Sequence, residues 1–169
     1  MPTEESSSSS HESDAFDFLF YITRYPDLSA AGLTSEADLE RHYNKSGKRE
    51  NRIPNVQSFA GWLDLPSNVI KPDLTWKRVL QEKDLAAASD GNVIELMTAL
   101  PPLDENLDLH EHNRLRQLDT ITLLTSYLYR SGKEAEALIF FEAGLKKLNE
   151  LEAYDWSRAL ALCVAIGYD

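Results

Sequence analysis

A single cysteine, Cys163, among 169 residues rules out an intramolecular disulfide. Its place in an apolar run makes it a small hydrophobe rather than a reactive thiol, and a fold without staples fits a reducing compartment. Cations are scarce too: 17 Lys and Arg stand against 28 Asp and Glu, a formal charge of -11 at pH 7. That balance opposes long-range attraction to nucleic acid and to anionic membrane surfaces, so neither is expected as a partner. Long apolar runs are missing as well. No stretch approaches the ~20 apolar residues of a bilayer-spanning helix, and MPTEESSSSSHESD at the amino terminus holds no apolar core of a secretory signal. A soluble protein is expected. Finally, the chain has no glycine-rich phosphate loop, no nucleophile with a matching histidine motif and no dinucleotide fingerprint. Neither catalysis, a cofactor nor a small-molecule ligand is expected.

What is present is enough for one solid core: 43% of the residues are hydrophobic. The pattern predicts an all-α fold in four segments. Residues 1–14 form an acidic, serine-rich tail with nothing to bury, 15–52 a two-helix module, 53–72 an extended arm packed across helices, and 73–169 a stack of helical hairpins with a C-terminal capping helix.

In the module, Phe16, Phe18, Tyr21, Ile22 and Tyr25 recur at helical spacing until Pro26 stops the helix. Ser35 with Asp38 three residues on starts a second helix by reciprocal capping, Leu39 and Tyr43 give it an apolar stripe, and Gly47 is expected to close it in left-handed geometry. Asp17 reads as the cap of the first helix, and Asp27 as a turn residue bonded to backbone amides.

Phe16-Asp17, Tyr21, Tyr25-Pro26-Asp27-Leu28, Gly32, His42-Tyr43 and the run from Gly47 to Arg52 stand in the order of a known signature. The segment resembles a small FDxxYYLxxYPDL, HY, GxxEGR helical module of bacterial and large-virus proteins, often found beside glycosyltransferase domains. Asn51 replaces its usual last glycine and tolerates the same positive φ. The occurrence of similar modules in large viruses implies a viral-particle component as one expectation; the cytoplasm is the other location expected, from the lone cysteine and the missing secretory signal. The resemblance also implies a rival reading, an accessory or carbohydrate-binding subunit of glycan synthesis, in which Tyr21, Tyr25 and Tyr43 would form a sugar-stacking platform.

The arm is punctuated by Pro54, Pro66 and Pro72 and is too apolar for a free linker, with Trp62 as its anchor. Asp73 or Thr75 then caps a helix containing Trp76, Val79 and Leu80, and residues 74–100 read as a helix-turn-helix pair whose LAAASDGNVIELMTAL resembles the paired helices of an ankyrin repeat. After a polar loop from Leu103 to Asn113, a helix over 114–131 ends at Gly132, and a second carries Ala135, Leu138, Phe141, Leu145 and Leu148 along one face. Leu124, Leu128, Gly132, Ala137, Phe141 and Leu145 resemble one tetratricopeptide unit, with Gly144 where alanine is usual and Asn149 where proline is usual. Ile139 and Phe140 fall off the stripe, so this helix is expected to be apolar on more than one side. The last helix starts near Glu152 or Asp155 and holds Trp156 and the run from Ala159 to Ile166, with Gly167 as its cap. Eight consecutive small or apolar residues predict a central or interfacial helix.

Two clusters need weighing. Asp108, His110, Glu111 and His112 are metal-binding types: on a helix the two histidines diverge by about 200°, in an extended loop both can face one way without being preorganised, and HEHNR lacks the second histidine of HExxH. Arg41, Lys45, Lys48, Arg49 and Arg52 make the one basic spot, a candidate anion contact, although cations at a helix end with Glu40 and Glu50 nearby favour a solvated, partly self-paired face. The sequence therefore reads as a non-enzymatic interaction or structural subunit. It is expected to bind other protein subunits, with Trp62, Trp156, Leu160, Val164 and Ile166 as the anchor candidates.

Overall fold

The computed structural model describes residues 15–81, 103–149 and 151–165. They form eight α-helices and one π-helical turn, with no strand among the described residues. The helices are α1 (Phe18–Arg24), α2 (Pro26–Ala30), α3 (Glu36–His42), α4 (Val56–Trp62), α5 (Trp76–Gln81), α6 (Leu109–Arg130), α7 (Glu134–Leu148) and α8 (Ala153–Ala165), and the π turn spans Tyr43–Gly47. The tail, the ankyrin-like stretch from Glu82 to Pro102, Ile166 and Gly167 lie outside the described residues, and so does the side chain of Val164.

Helix α1 is the hub, because six of its seven residues are buried and it packs against α2, α3, α5 and α6. Leu19 and Phe20 face the larger core, where the Phe20 ring meets Phe59 at 6.0 Å and Trp76 at 5.5 Å, both edge-on. Tyr21, Ile22 and Tyr25 face a second core with Leu28, Leu39 and Tyr43. A helix apolar all round is one enclosed on all sides. Asp17 starts it, accepting from the Phe20 amide through Oδ1 at 3.1 Å. The same carboxylate accepts from the Trp76 amide through Oδ2 at 2.7 Å, so one side chain caps α1 and α5 together.

Pro26 does stop α1, but it also opens α2 as its first residue, where a missing N–H costs nothing. In α3 the Ser35 hydroxyl accepts from the Asp38 amide at 3.2 Å and donates to Asp38 Oδ2 at 2.7 Å. The chain leaves the π turn through Asn51, whose φ is +55°, with Arg52 N–H bonded to Gly47 carbonyl at 2.9 Å. Gly47 is therefore not the left-handed residue expected. It is glycine for space: a Cβ there would overlap the Tyr21 hydroxyl and stand 2.9 Å from Tyr43 Cδ2.

The segment 53–72 is not simply an extended arm. Asn55 accepts from the Ser58 amide at 2.8 Å and starts α4, which buries Val56, Phe59 and Ala60, one helical face in two turns. Thr75, not Asp73, caps α5, its hydroxyl accepting from the Arg78 amide at 3.3 Å.

Helices α6 and α7 form the predicted hairpin, closed by Gly132 at φ +78°. α6 starts five residues earlier than expected because Asp108 caps it, accepting from the Glu111 amide at 2.9 Å. The inward face of α7 is also displaced: Ala137, Phe140, Gly144 and Leu148 are buried, whereas Ala135 and Leu138 are exposed. The smallest side chains are what let the two backbones approach. A Cβ on Gly144 would lie 2.7 Å from Ile121 Cγ2, which explains glycine where the repeat prefers alanine. Helix α8 lies on α6, buries Ala159 and Leu162, and starts by a reversed capping contact in which Asp155 Oδ2 accepts from the Glu152 amide at 2.8 Å.

Candidate functional site

Tyr21, Tyr25 and Tyr43 are 0%, 8% and 7% exposed, so the sugar-stacking platform implied by the resemblance has no open ring face. They are core. The Tyr21 ring meets Phe16, Tyr25 and Tyr43 at centroid distances of 5.2, 5.1 and 5.6 Å, all edge-on, and its hydroxyl pairs with His42 Nδ1 at 3.1 Å. Burial pushes the Tyr21 and Tyr25 hydroxyls above their usual range. The Tyr25 hydroxyl accepts from the Ile53 amide at 2.6 Å, and its ring is flanked by two guanidiniums, Arg24 at 5.0 Å and Arg52 at 4.8 Å.

Arg52 belongs to this closure and not to an anion site. Its Nη1 and Nη2 donate to Asp27 Oδ1 and Oδ2 at 3.0 and 2.7 Å, and Nε donates to Glu50 at 2.6 Å. Burial disfavours its charge, but the bonds to Asp27 and Glu50 outweigh that and hold the group above its ordinary value. Asp27 thus clamps the end of the module instead of bonding to its own turn. Arg41 is also engaged, with Asp38 at 2.8 Å. Lys45, Lys48 and Arg49 remain exposed on the π turn and the residues after it.

A second polar network, which no local pattern in the chain announces, ties α6 to its neighbours. Arg158 of α8 donates Nε to Asp119 Oδ1 at 3.0 Å and Nη2 to Oδ2 at 2.7 Å, and Arg116 adds a third bond to Oδ2 at 2.9 Å. Arg114 holds Asp155 in the same two-pronged manner at 2.9 and 3.1 Å. Arg24, 4% exposed, donates to the Asn113 carbonyl at 3.1 Å, and burial lowers its guanidinium to about 10. These groups fix helix register; each is enclosed or matched within the fold.

The histidine cluster lies in the first turn of α6. Asp108 is used as a cap, and His112 Nε2 donates to the Asp104 carbonyl at 2.7 Å. No group of three or more metal-binding side chains converges among the described residues. A groove of about 400 Å³ runs between Ala15–Leu19 and Pro72–Lys77, with Asp17, Asn55, Gln57 and Asp73 on its walls. Asp17 has both oxygens committed to helix caps, and Gln57 donates to the Lys71 and Leu74 carbonyls at 2.8 and 2.9 Å.

The apolar side chains expected at partner surfaces divide. Trp62 is half-buried, packed on Phe59 at 5.5 Å and covered by Lys147 Nζ 5.5 Å above its ring, so it serves the fold first. Trp156 is 47% and Leu160 66% exposed, one turn apart on the outer side of α8, whose inner side carries Asp155, Arg158, Ala159 and Leu162. Tyr154 on α8, and Leu138 and Ile139 on α7, are also open. Leu138 and Ile139 were missed as surface residues because the inward face of α7 is set by its small residues, not by its largest.

The fold is thus all-α, and no helix among the described residues is long and apolar enough to cross a membrane. No family model, curated protein or solved structure matches this chain.

Proposed function

We propose that this protein is a non-enzymatic structural or interaction subunit of a larger protein assembly, with the outer face of α8 as its main contact. The supporting observation is the pair Trp156 and Leu160, exposed side by side on a helix whose opposite face is anchored in the core. A large aromatic and a leucine at i, i+4 spacing are the side chains that carry binding energy when a neighbour covers them. Val164 continues the spacing by one turn in the sequence. The module of residues 16–52 contributes a rigid body to such an assembly, and its resemblance to large-virus proteins makes a particle component one form the assembly could take. The carbohydrate-binding alternative finds no support in the enclosed tyrosines.

Light scattering of the purified chain over a wide concentration range tests the reading. A mass that grows with concentration, and falls to one protomer in W156S/L160S with the helical circular dichroism intact, is expected. A single-protomer mass throughout counts against it.

A further inference from the structure

Lys45 lies on the π turn and Lys48 and Arg49 in the turn that directly follows it, so three cations fall within five residues of chain. All three are exposed, and none lies within ion-pair distance of a carboxylate among the described residues. Three nearby carboxylates are engaged elsewhere: Asp38 with Ser35 and Arg41, Glu50 and Asp27 with Arg52. The stems are also restrained. Arg49 Nε donates to the Lys45 carbonyl at 3.0 Å, and Lys48 Nζ lies 5.4 Å from the centre of the Tyr43 ring. Three exposed cations without a carboxylate partner make a local positive patch in a chain of net charge -11, which an anionic segment would complement.

We propose that this patch at the π turn is a docking surface for an acidic peptide segment of a partner protein. The patch is small, three cations bordered by Glu40 and Glu50, which suits a short acidic stretch and repels a long polyanion lying across it. The overall negative charge further discriminates against nucleic acid. The inference rests on the interaction reading above in supposing a protein partner, but it uses a surface separate from α8, so loss of one leaves the other testable.

The test is fluorescence anisotropy of a short labelled oligoglutamate peptide titrated with the full chain at low salt. Binding is expected, weakening steeply as salt rises, with a loss of at least ~10-fold in K45E/K48E/R49E and none in K71E/K146E, a reversal of two other exposed lysines. Should the triple variant lose helicity, the single changes K45Q, K48Q and R49Q decide the matter, each expected to weaken binding. No binding at low salt, equal binding by the charge-reversed protein, or tighter binding of a DNA duplex through the same residues would overturn the proposal. W156S/L160S is expected to bind the peptide normally, which separates failure here from failure of the α8 interface.

Discussion

Arg158 and Asp119 form a two-pronged ion pair between α8 and α6, with side chains 4% and 1% exposed. Thirty-nine residues separate them, and the pair joins the last helix to the centre of the protein. Removing the carboxylate in D119A leaves two buried guanidiniums facing the gap, which costs about 3–5 kcal/mol. Urea denaturation followed by circular dichroism should show that loss; a change under ~1 kcal/mol would mean solvent already reaches the pair.

Gly144 makes the second prediction. Alanine in mid-helix ordinarily gains up to ~1 kcal/mol over glycine. Here the new Cβ would press on three atoms of Ile121 at 2.7–2.8 Å, and overpacking of that kind costs about 1–3 kcal/mol. G144A should therefore be destabilised despite its better propensity. I121A empties the space, so the double variant should be more stable than the sum of the two single losses predicts. Additive losses would show that the helices simply move apart.

These cases also mark what the sequence makes legible. Asp17 as the cap of α1, Ser35 with Asp38, and the left-handed Asn51 and Gly132 act within a few residues of themselves, and these roles can be read locally, whereas the second bond of Asp17, to the Trp76 amide, cannot. Helix α4 escaped because it lasts two turns and includes Gly61, too short for periodicity to register. The face of α7 was misassigned because burial there selects Ala137 and Gly144 for close approach, whereas pattern reading favours large apolar residues. The Arg158–Asp119 and Arg114–Asp155 pairs were illegible for a different reason. Charges far apart in the chain look like solvated surface until the fold brings them together. At the candidate surface, Trp156 and Leu160 are legible as excess apolar area on a helix, and partial self-pairing of the basic cluster is legible from Glu50 beside it, but the reach of Arg52 to Asp27 and of Arg41 to Asp38 is not.

Tyr25 gives a narrower test. Its hydroxyl is the acceptor for the buried Ile53 amide at 2.6 Å, where the module passes into α4. Y25F keeps the ring between Arg24 and Arg52 but orphans that amide, a loss of about 1–3 kcal/mol. A lower thermal midpoint with unchanged near-ultraviolet dichroism is expected, and an unchanged midpoint would refute the role given to this bond.

Asp17 has a pH dependence of unusual sign for a helix cap. Burial raises its carboxyl above 3.8, outweighing the amides of Trp76, Phe20 and Leu19, which pull it down. The folded chain therefore takes up this proton at a higher pH than the unfolded chain does. Linkage then makes the contribution of Asp17 grow as pH falls through the folded value toward 3.8, and level off below it. D17A, which uncaps two helices, should cost about 1–2 kcal/mol at neutral pH. The gap between wild type and variant should widen on acidification, and a gap that closes in acid would show the carboxylate to be an ordinary solvated cap.

The last prediction separates the three tryptophans by what surrounds them. Trp76 is fully enclosed, Trp62 is half-buried under Lys147, and Trp156 is 47% exposed. Acrylamide quenching of the dilute protomer should therefore be dominated by Trp156, and W156F should remove most of the quenchable fraction at little cost to stability, within about 0.5 kcal/mol, as for other surface changes. If α8 is covered in the assembly, the quenchable fraction must fall as assembly proceeds, and the emission must move to shorter wavelength because the indole leaves water. W156F should show neither change. Assembly that leaves Trp156 open to acrylamide would place the interface elsewhere on the protein, with the outer side of α7, where Leu138 and Ile139 are 58% and 49% exposed, as the next candidate surface.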